Sequence, residues 1–243
     1  MCGGSRGFVA ENPAFSTVQR AFAVPIGTMK IADLCTGVFL CQIYQTSHEG
    51  SPNDAKTVFR FPENKAISDS KKMARGNVTE DHLRQILEAG IRVPDHGALK
   101  PWKLKVIRGV TQKQLDEEVI FAEFIKANPD TSAETQSIEK NRLQRADTVI
   151  AVISSPVEHK SITEWEMHLS AGAVCTTLLY AAQSLDYAAQ WLTEWYAYDD
   201  NVLRELGGVP GKDRIAGFIY IGEKTSTPIE RTRPDFDSVV SYL

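Results

Sequence analysis

Gly90-Ile91-Arg92-Val93-Pro94-Asp95-His96-Gly97-Ala98-Leu99-Lys100-Pro101-Trp102 is the stretch on which the reading of this chain turns. It closes a predicted amphipathic helix and opens a predicted strand. Each proline fixes its own φ and pushes the residue before it toward extended geometry, so the connector is expected to be stiff. A stiff loop presenting cationic donors and a large aromatic suits an anionic, planar ligand. The plainer alternative is an ordinary helix-to-strand turn, and the loop alone does not separate the two.

Upstream, Thr79 is placed to cap a helix whose first turn carries Glu80 and Asp81, where carboxylates suit the positive end of the dipole. Leu83, Ile86, Leu87 and Gly90 share one face, and the helix should end at Gly90 to Arg92. Downstream, Leu104 to Ile107 is a predicted strand that stops at Gly109. Thr111 and Gln114 have capping-box spacing for an amphipathic helix reaching Asn128-Pro129. A polar helix over Ala133 to Arg145 is expected to be a solvated surface. Asp147 to Ser155 contains the unbroken apolar run Val149 to Ile153, the pattern of a central strand covered on both faces.

Thr163 and Glu166 form a second capping box and start a long helix, apolar nearly all round from Leu169, that should be buried. Its Ser170-Ala171-Gly172-Ala173 patch suits either dense core packing or a subunit contact. Strands follow at Tyr187 to Thr193 and Arg214 to Gly222, with a short helix over Asp199 to Leu206 stopped by Gly207-Gly208. Such alternation indicates an α/β or α+β layered fold. Residues 1–66 follow neither helical nor strand periodicity for long and are expected to be a divergent or poorly ordered extension; residues 67–243 form the domain.

With 243 residues, 42% of them hydrophobic, the chain can bury a sizeable core. Lys and Arg number 27 against 31 Asp and Glu, a formal charge of −4, which gives no basic footprint for nucleic acid. Cys2, Cys35, Cys41 and Cys175 show no C-x-x-C pair. A reducing, cytoplasmic setting is expected, and no metal site. No run of about 18 apolar residues is present, so no membrane span is expected. The Arg20 to Gly27 segment lacks the basic start and the apolar core of roughly 7–15 residues that a signal peptide needs.

The chemical motifs narrow the field further. Gly207-Gly208-Val209-Pro210-Gly211-Lys212-Asp213 is one residue short of a phosphate loop, has Asp213 where Ser or Thr is needed, and precedes a strand. No G-x-G-x-x-G follows a strand and no G-x-S-x-G elbow occurs. His82 is expected on an exposed helix face, His159 in a polar loop, and His168 as a structural histidine. Glu166 and His168 are two apart and share no helix face. Among the five histidines, His96 alone sits beside a candidate anion-binding arginine.

Ile86 to Gly97, followed by Lys100-Pro101-Trp102, resembles the signature loop of the nitroreductase family of flavoproteins, in its small NAD(P)H nitroreductase branch with R-x-P-D-H before P-W. The likeness continues through Trp165-Glu166, Leu169 to Ala173, Trp191-Leu192-Thr193, Arg214 to Gly222 and the Arg231-Thr232-Arg233-Pro234 arm. It implies an α+β fold, an antiparallel or mixed sheet packed with long helices, in a homodimer with FMN at the subunit interface. It also implies that Arg92 and His96 contact FMN and that Trp191, Leu192 and Thr193 line the flavin. Arg231 and Arg233 would then come near the phosphate, unless they are solvated tail residues, and Ala181 to Asp186 would lie by the nicotinamide nucleotide. The implied activity is ping-pong hydride transfer from NAD(P)H to a nitroaromatic, quinone-like or other electron-poor acceptor. Stacking and orientation carry that chemistry, so no catalytic side chain is assigned.

Two departures stand out. Where the family has Arg-Arg-Ser gripping the phosphate, this chain has Ile67, Ser68 and Asp69, followed by Lys71 and Lys72. The loss should weaken FMN binding by roughly several kcal/mol. Leu185-Asp186-Tyr187 stands where a glycine-rich turn is usual. These departures motivate the alternative of a catalytically impaired relic that binds a ligand or partner.

Overall fold

The computed structural model describes residues 73–76, 78–226 and 232–243. The boundary expected near residue 66, the Ile67 to Asp69 stretch, Lys71, Lys72 and Arg231 lie outside the described residues. In chain order the elements are β1 (Met73–Ala74), α1 (Glu80–Gly90), β2 (Trp102–Arg108), α2 (Val110–Gln114), α3 (Phe121–Ala127), α4 (Ala133–Glu139), β3 (Thr148–Ser154), α5 (Glu164–Ser184), β4 (Ala188–Leu192), α6 (Asp200–Glu205), β5 (Arg214–Lys224) and α7 (Phe236–Val239). A π-helical stretch, Leu115–Ile120, joins α2 to α3.

β3 forms the middle of the sheet. It pairs with β2 on one side and β5 on the other, and β5 pairs in turn with β4 over 218–222 and with β1 at 223–224. Every described pairing is antiparallel, which selects between the antiparallel and mixed sheets expected. All seven residues of β3 are buried, because helices cover both faces. Ile150 and Val152 pack with Ile219 and Ile221 against Leu83 and Ile86 of α1 and Val174 and Leu178 of α5. The alternate residues Val149, Ala151 and Ile153 join Phe218 and Tyr220 against Ile120, Leu143 and Tyr196. A period-2 strand with two apolar faces is thus an unbroken apolar run in the sequence.

The start signals of α1 and α5 act as expected. Thr79 accepts a hydrogen bond from the His82 N–H, and Thr163 and Glu166 form the reciprocal capping box. Gly90 lets α1 lie directly on Leu178, which occupies the space a Cβ would take. No helix among the described residues is long and apolar enough to cross a membrane.

Four expectations are corrected. The helix after β2 begins at Val110 with Gly109 as its cap, and neither Thr111 nor Gln114 makes a capping bond. Buried Gln112 explains that start, since its amide donates to the carbonyls of Leu143, Ala146 and Asp147. The polar segment 133–145 is not one solvated helix: α4 stops at Glu139, a 3-10 turn forms at Leu143–Arg145, and Glu139 is buried. His82 is half-buried, with Nδ1 2.7 Å from the Tyr187 hydroxyl. Finally, α5 is not covered all round: Trp165, Leu169 and Tyr180 are exposed.

Candidate active site

The loop between α1 and β2 is anchored from beneath by α5. Ser170 Oγ donates to the Pro94 carbonyl at 2.8 Å and accepts from Trp102 Nε1 at 3.1 Å, so one hydroxyl ties both ends of the loop to the helix. The Pro101 carbonyl accepts from the Ser155 N–H at 2.8 Å. Between these anchors the Asp95 carboxylate accepts the Leu99 N–H at 3.1 Å and the Lys100 N–H at 2.8 Å. The backbone it spans is left-handed at Gly97 (φ 74°), Ala98 (φ 53°) and Lys100 (φ 51°). For the two residues with a Cβ, such geometry costs about 1–3 kcal/mol each. A Cβ on Gly97 would add strain at its positive φ and lie 2.7 Å from Ile162 Cδ1, which would have to move.

His96 Nδ1 is 2.8 Å from Glu166 Oε2, so the capping-box glutamate of α5 also fixes the imidazole. That hydrogen bond, helped by the Thr163 N–H, holds the Glu166 carboxyl below the usual carboxylate range. Arg92 is exposed, and its guanidinium makes no hydrogen bond or ion pair with any described residue. Its own N–H closes the end of α1 on the Ala89 carbonyl, which fixes where the side chain starts.

Trp191 reaches the same part of α5 from the sheet. The β3–β5 register slips between Val152 and Ile153, leaving Ala216 unpaired with β3. Such a bulge frees a backbone group, and the Ala216 carbonyl accepts from Trp191 Nε1 at 3.0 Å. The indole occupies the space a Cβ on Gly217 would take and comes within 4.0 Å of a Cβ built on Gly172. Strand alternation sends Leu192 the other way, against the core cluster of Phe218, Tyr220 and Tyr196, so any part it plays on the α5 side falls to its backbone. Thr193 is exposed at the strand end. Arg233 is exposed ahead of α7, and Arg231 lies outside the described residues. Ala181 to Asp186 closes α5 and turns into β4, about 20 Å along the helix axis from Ser170, so within one protomer it does not adjoin the loop.

The segment after Thr193 is held by charge. Glu194 accepts from Arg142 Nη1 at 3.0 Å and Arg145 Nη1 at 2.9 Å. Glu139 binds Arg142 and accepts from Trp195 Nε1 at 3.0 Å. Beneath them Asp116, fully buried, accepts the N–H groups of Leu143 and Gln144 and the Gln144 side-chain amide. Burial pushes its carboxyl up to about 6, against the pull of those hydrogen bonds and of Arg145.

The structure therefore brings His96 and Trp191 to neighbouring turns of α5, while Arg92 stands exposed at the end of α1. Sequence reasoning missed Asp95, Ser170, the Glu194 clamp and Asp116. Asp95 carries no turn signature, since its carboxylate reaches N–H groups four and five residues ahead, beyond the two of an Asx turn. The others have partners 27 to 76 residues away, and no local pattern marks them. Among the described residues no group of three or more His, Cys, Asp or Glu could hold a metal ion.

The model of the nitroreductase family matches residues 71–223, a span that runs from before α1 almost to the end of β5. An Escherichia coli K12 protein named "Putative NAD(P)H nitroreductase YdjA" is 31% identical over 181 residues, which is 72% of this chain and 93% of that protein. Among solved structures, a Bacteroides fragilis nitroreductase with bound FMN superposes with a TM-score of 0.55 at 19% identity, covering 73% of this chain and 94% of that one. Lactococcus lactis nitroreductase CinD in complex with 4-nitrophenol gives 0.57 at 17% identity, covering 74% and 95%. At such identities the two structures speak for the fold alone. The sequence matches go further: they extend over more than half of the chain and nearly the full length of the relative, and take in the anchored loop, α5 and the bulged strand. The chain belongs to the nitroreductase family.

Proposed function

We propose that this chain is an FMN-dependent NAD(P)H oxidoreductase that reduces nitroaromatic, quinone-like or related electron-poor acceptors, working as a homodimer. The observation that carries the reading is the anchored loop, which presents an Arg92 guanidinium unpaired among the described residues and a His96 fixed on α5, the helix that Trp191 also reaches. This donor set fits FMN. A free guanidinium suits a phosphate or a flavin carbonyl, and an imidazole with one nitrogen already committed offers the other to the ligand.

When bound, FMN supplies the two-electron chemistry that takes hydride from NAD(P)H and passes reducing equivalents to the acceptor. The chain's own residues bind and orient. Arg92 contributes charge-assisted hydrogen bonds, and His96, steadied by Glu166, sets the rim of the loop. Trp191 offers an apolar ring whose N–H is already spent on Ala216. Thr193 and the Leu192 backbone close the strand end, where the Glu194 clamp limits their motion. Arg233 and Arg231 join from the arm. No side chain is assigned as a general acid or base.

Exposed apolar surface supports the homodimer. Trp165, Leu169 and Tyr180 lie open along α5, and Phe236, Val239 and Tyr242 along the C-terminal segment. A groove of about 350 Å³ runs between α1 and edge strand β2, floored by Leu83, Leu87, Leu104 and Val106. A second copy would cover these surfaces.

The test is anaerobic. NAD(P)H added to the FMN-loaded full chain should bleach the flavin's visible band, and a nitroaromatic should restore it with one acceptor step consumed per reduced flavin. Ile67, Ser68 and Asp69, in place of Arg-Arg-Ser, favour the second reading of an impaired relic. FMN uptake without bleaching would select that reading.

A further inference from the structure

We propose that Asp95 is a positioning residue of this site: its carboxylate holds the Gly97 to Lys100 backbone, left-handed at Gly97, Ala98 and Lys100, and so sets the rim from which Arg92 and His96 reach the ligand. The inference rests on the reading of the loop as the FMN-binding element. It concerns a residue that itself stays off the ligand.

Both Asp95 oxygens are used, one on the Leu99 N–H and the other on the Lys100 N–H. Its main-chain carbonyl accepts the Ala98 N–H at 3.1 Å, so the three residues after Gly97 are all held by Asp95. Two of them, Ala98 and Lys100, sit at positive φ, where a side chain is strained. A strained backbone persists only where its surroundings over-determine it. Here the surroundings are Ser170 at Pro94, Ser155 at Pro101, Glu166 at His96, and Asp95 in the middle. The first three fix the ends and one side chain. Asp95 holds the N–H groups of the strained residues, while the Lys100 carbonyl accepts the Trp102 N–H at 2.8 Å, and Asp95 makes no ion pair with Arg92, three positions back. The arrangement keeps the carboxylate on the inner backbone and leaves the guanidinium for the ligand. Without Asp95, Ala98 and Lys100 would relax to negative φ, and the binding-competent loop would become a minor conformer. Apparent affinity falls by the fraction of molecules that remain competent.

The experiment uses the full chain with FMN as the probe. Asp95→Ala should raise the FMN Kd by about tenfold or more, in line with two released hydrogen bonds. Asp95→Asn, which keeps one accepting oxygen, should fall between. Adding Ala98→Gly to Asp95→Ala should recover much of the affinity, because glycine takes positive φ without strain. A purely structural role would not produce that rescue. In the ligand-free protein, amide exchange at Leu99 and Lys100 should be slow in the wild type and fast in Asp95→Ala. Wild-type affinity in Asp95→Ala, or no rescue by glycine, would overturn the proposal while leaving the FMN reading intact. A wild type that takes up no FMN would overturn that reading and this function of Asp95 together. The exchange data would then report the backbone lock alone.

Discussion

Asp116 makes folding stability depend on pH in a direction opposite to most carboxylates. It is fully buried beneath the Leu143–Gln144 turn, and burial raises its carboxyl from 3.8 to about 6. A group whose folded value is raised binds its proton more tightly when folded. Its contribution is therefore present at low pH and lost as pH climbs through about 6. Between pH 4 and pH 7 the difference between those two values corresponds to about 2–3 kcal/mol. Asp116→Asn removes the titration while keeping an accepting oxygen for the Leu143 N–H. Urea unfolding of both proteins at pH 4, 5, 6 and 7 gives the two stability curves. Wild type minus variant should fall by about 2–3 kcal/mol across the series, with most of the fall below pH 6. Parallel curves would refute the reasoning, as would a wild type that gains on the variant with rising pH. The same turn carries Arg142 and Arg145, so the variant also reports how firmly the Glu194 clamp is supported.

Leu178, fully buried under α1 and packed where Gly90 leaves room, should cost about 2–5 kcal/mol when changed to Ala, measured as a lower denaturation midpoint at unchanged m. Glu194→Gln leaves two largely buried arginines without their shared carboxylate and should destabilise by about 2 kcal/mol or more. Arg142→Met with Glu194→Leu should not restore that loss, because buried Glu139 then loses its arginine and Arg145 still lacks its carboxylate. Trp191→Phe keeps an aromatic ring but leaves the Ala216 carbonyl without its donor, so about 1 kcal/mol of stability should be lost while flavin binding largely survives.

The helices were legible where a capping residue met a regular apolar face, as at Thr79 and Thr163. β3 was legible because two covered faces leave a strand no polar positions. The 133–145 segment misled because its charges look solvated one by one. Only the fold brings Glu194 and Trp195 onto them, 49 to 56 residues along the chain. Thr111 and Gln114 had capping-box spacing, yet Gly109 at φ 56° and the buried Gln112 amide set the start two residues earlier. Of the proposed site, Arg92 and His96 were singled out through the loop that carries them, and Trp191 through the strand that ends at Leu192. What holds them was not: Ser170, Glu166 and the Ala216 bulge act through contacts that exist only once α5 lies beneath the loop.

The central claim is that the loop holding Arg92 and His96 binds FMN. Titrating FMN with the full chain and following flavin fluorescence tests it directly. The wild type should quench saturably with one FMN per protomer, and Arg92→Ala should weaken binding by about ten- to a hundredfold, the worth of its charge-assisted hydrogen bonds. No quenching by the wild type, or equal affinity in Arg92→Ala, would contradict it.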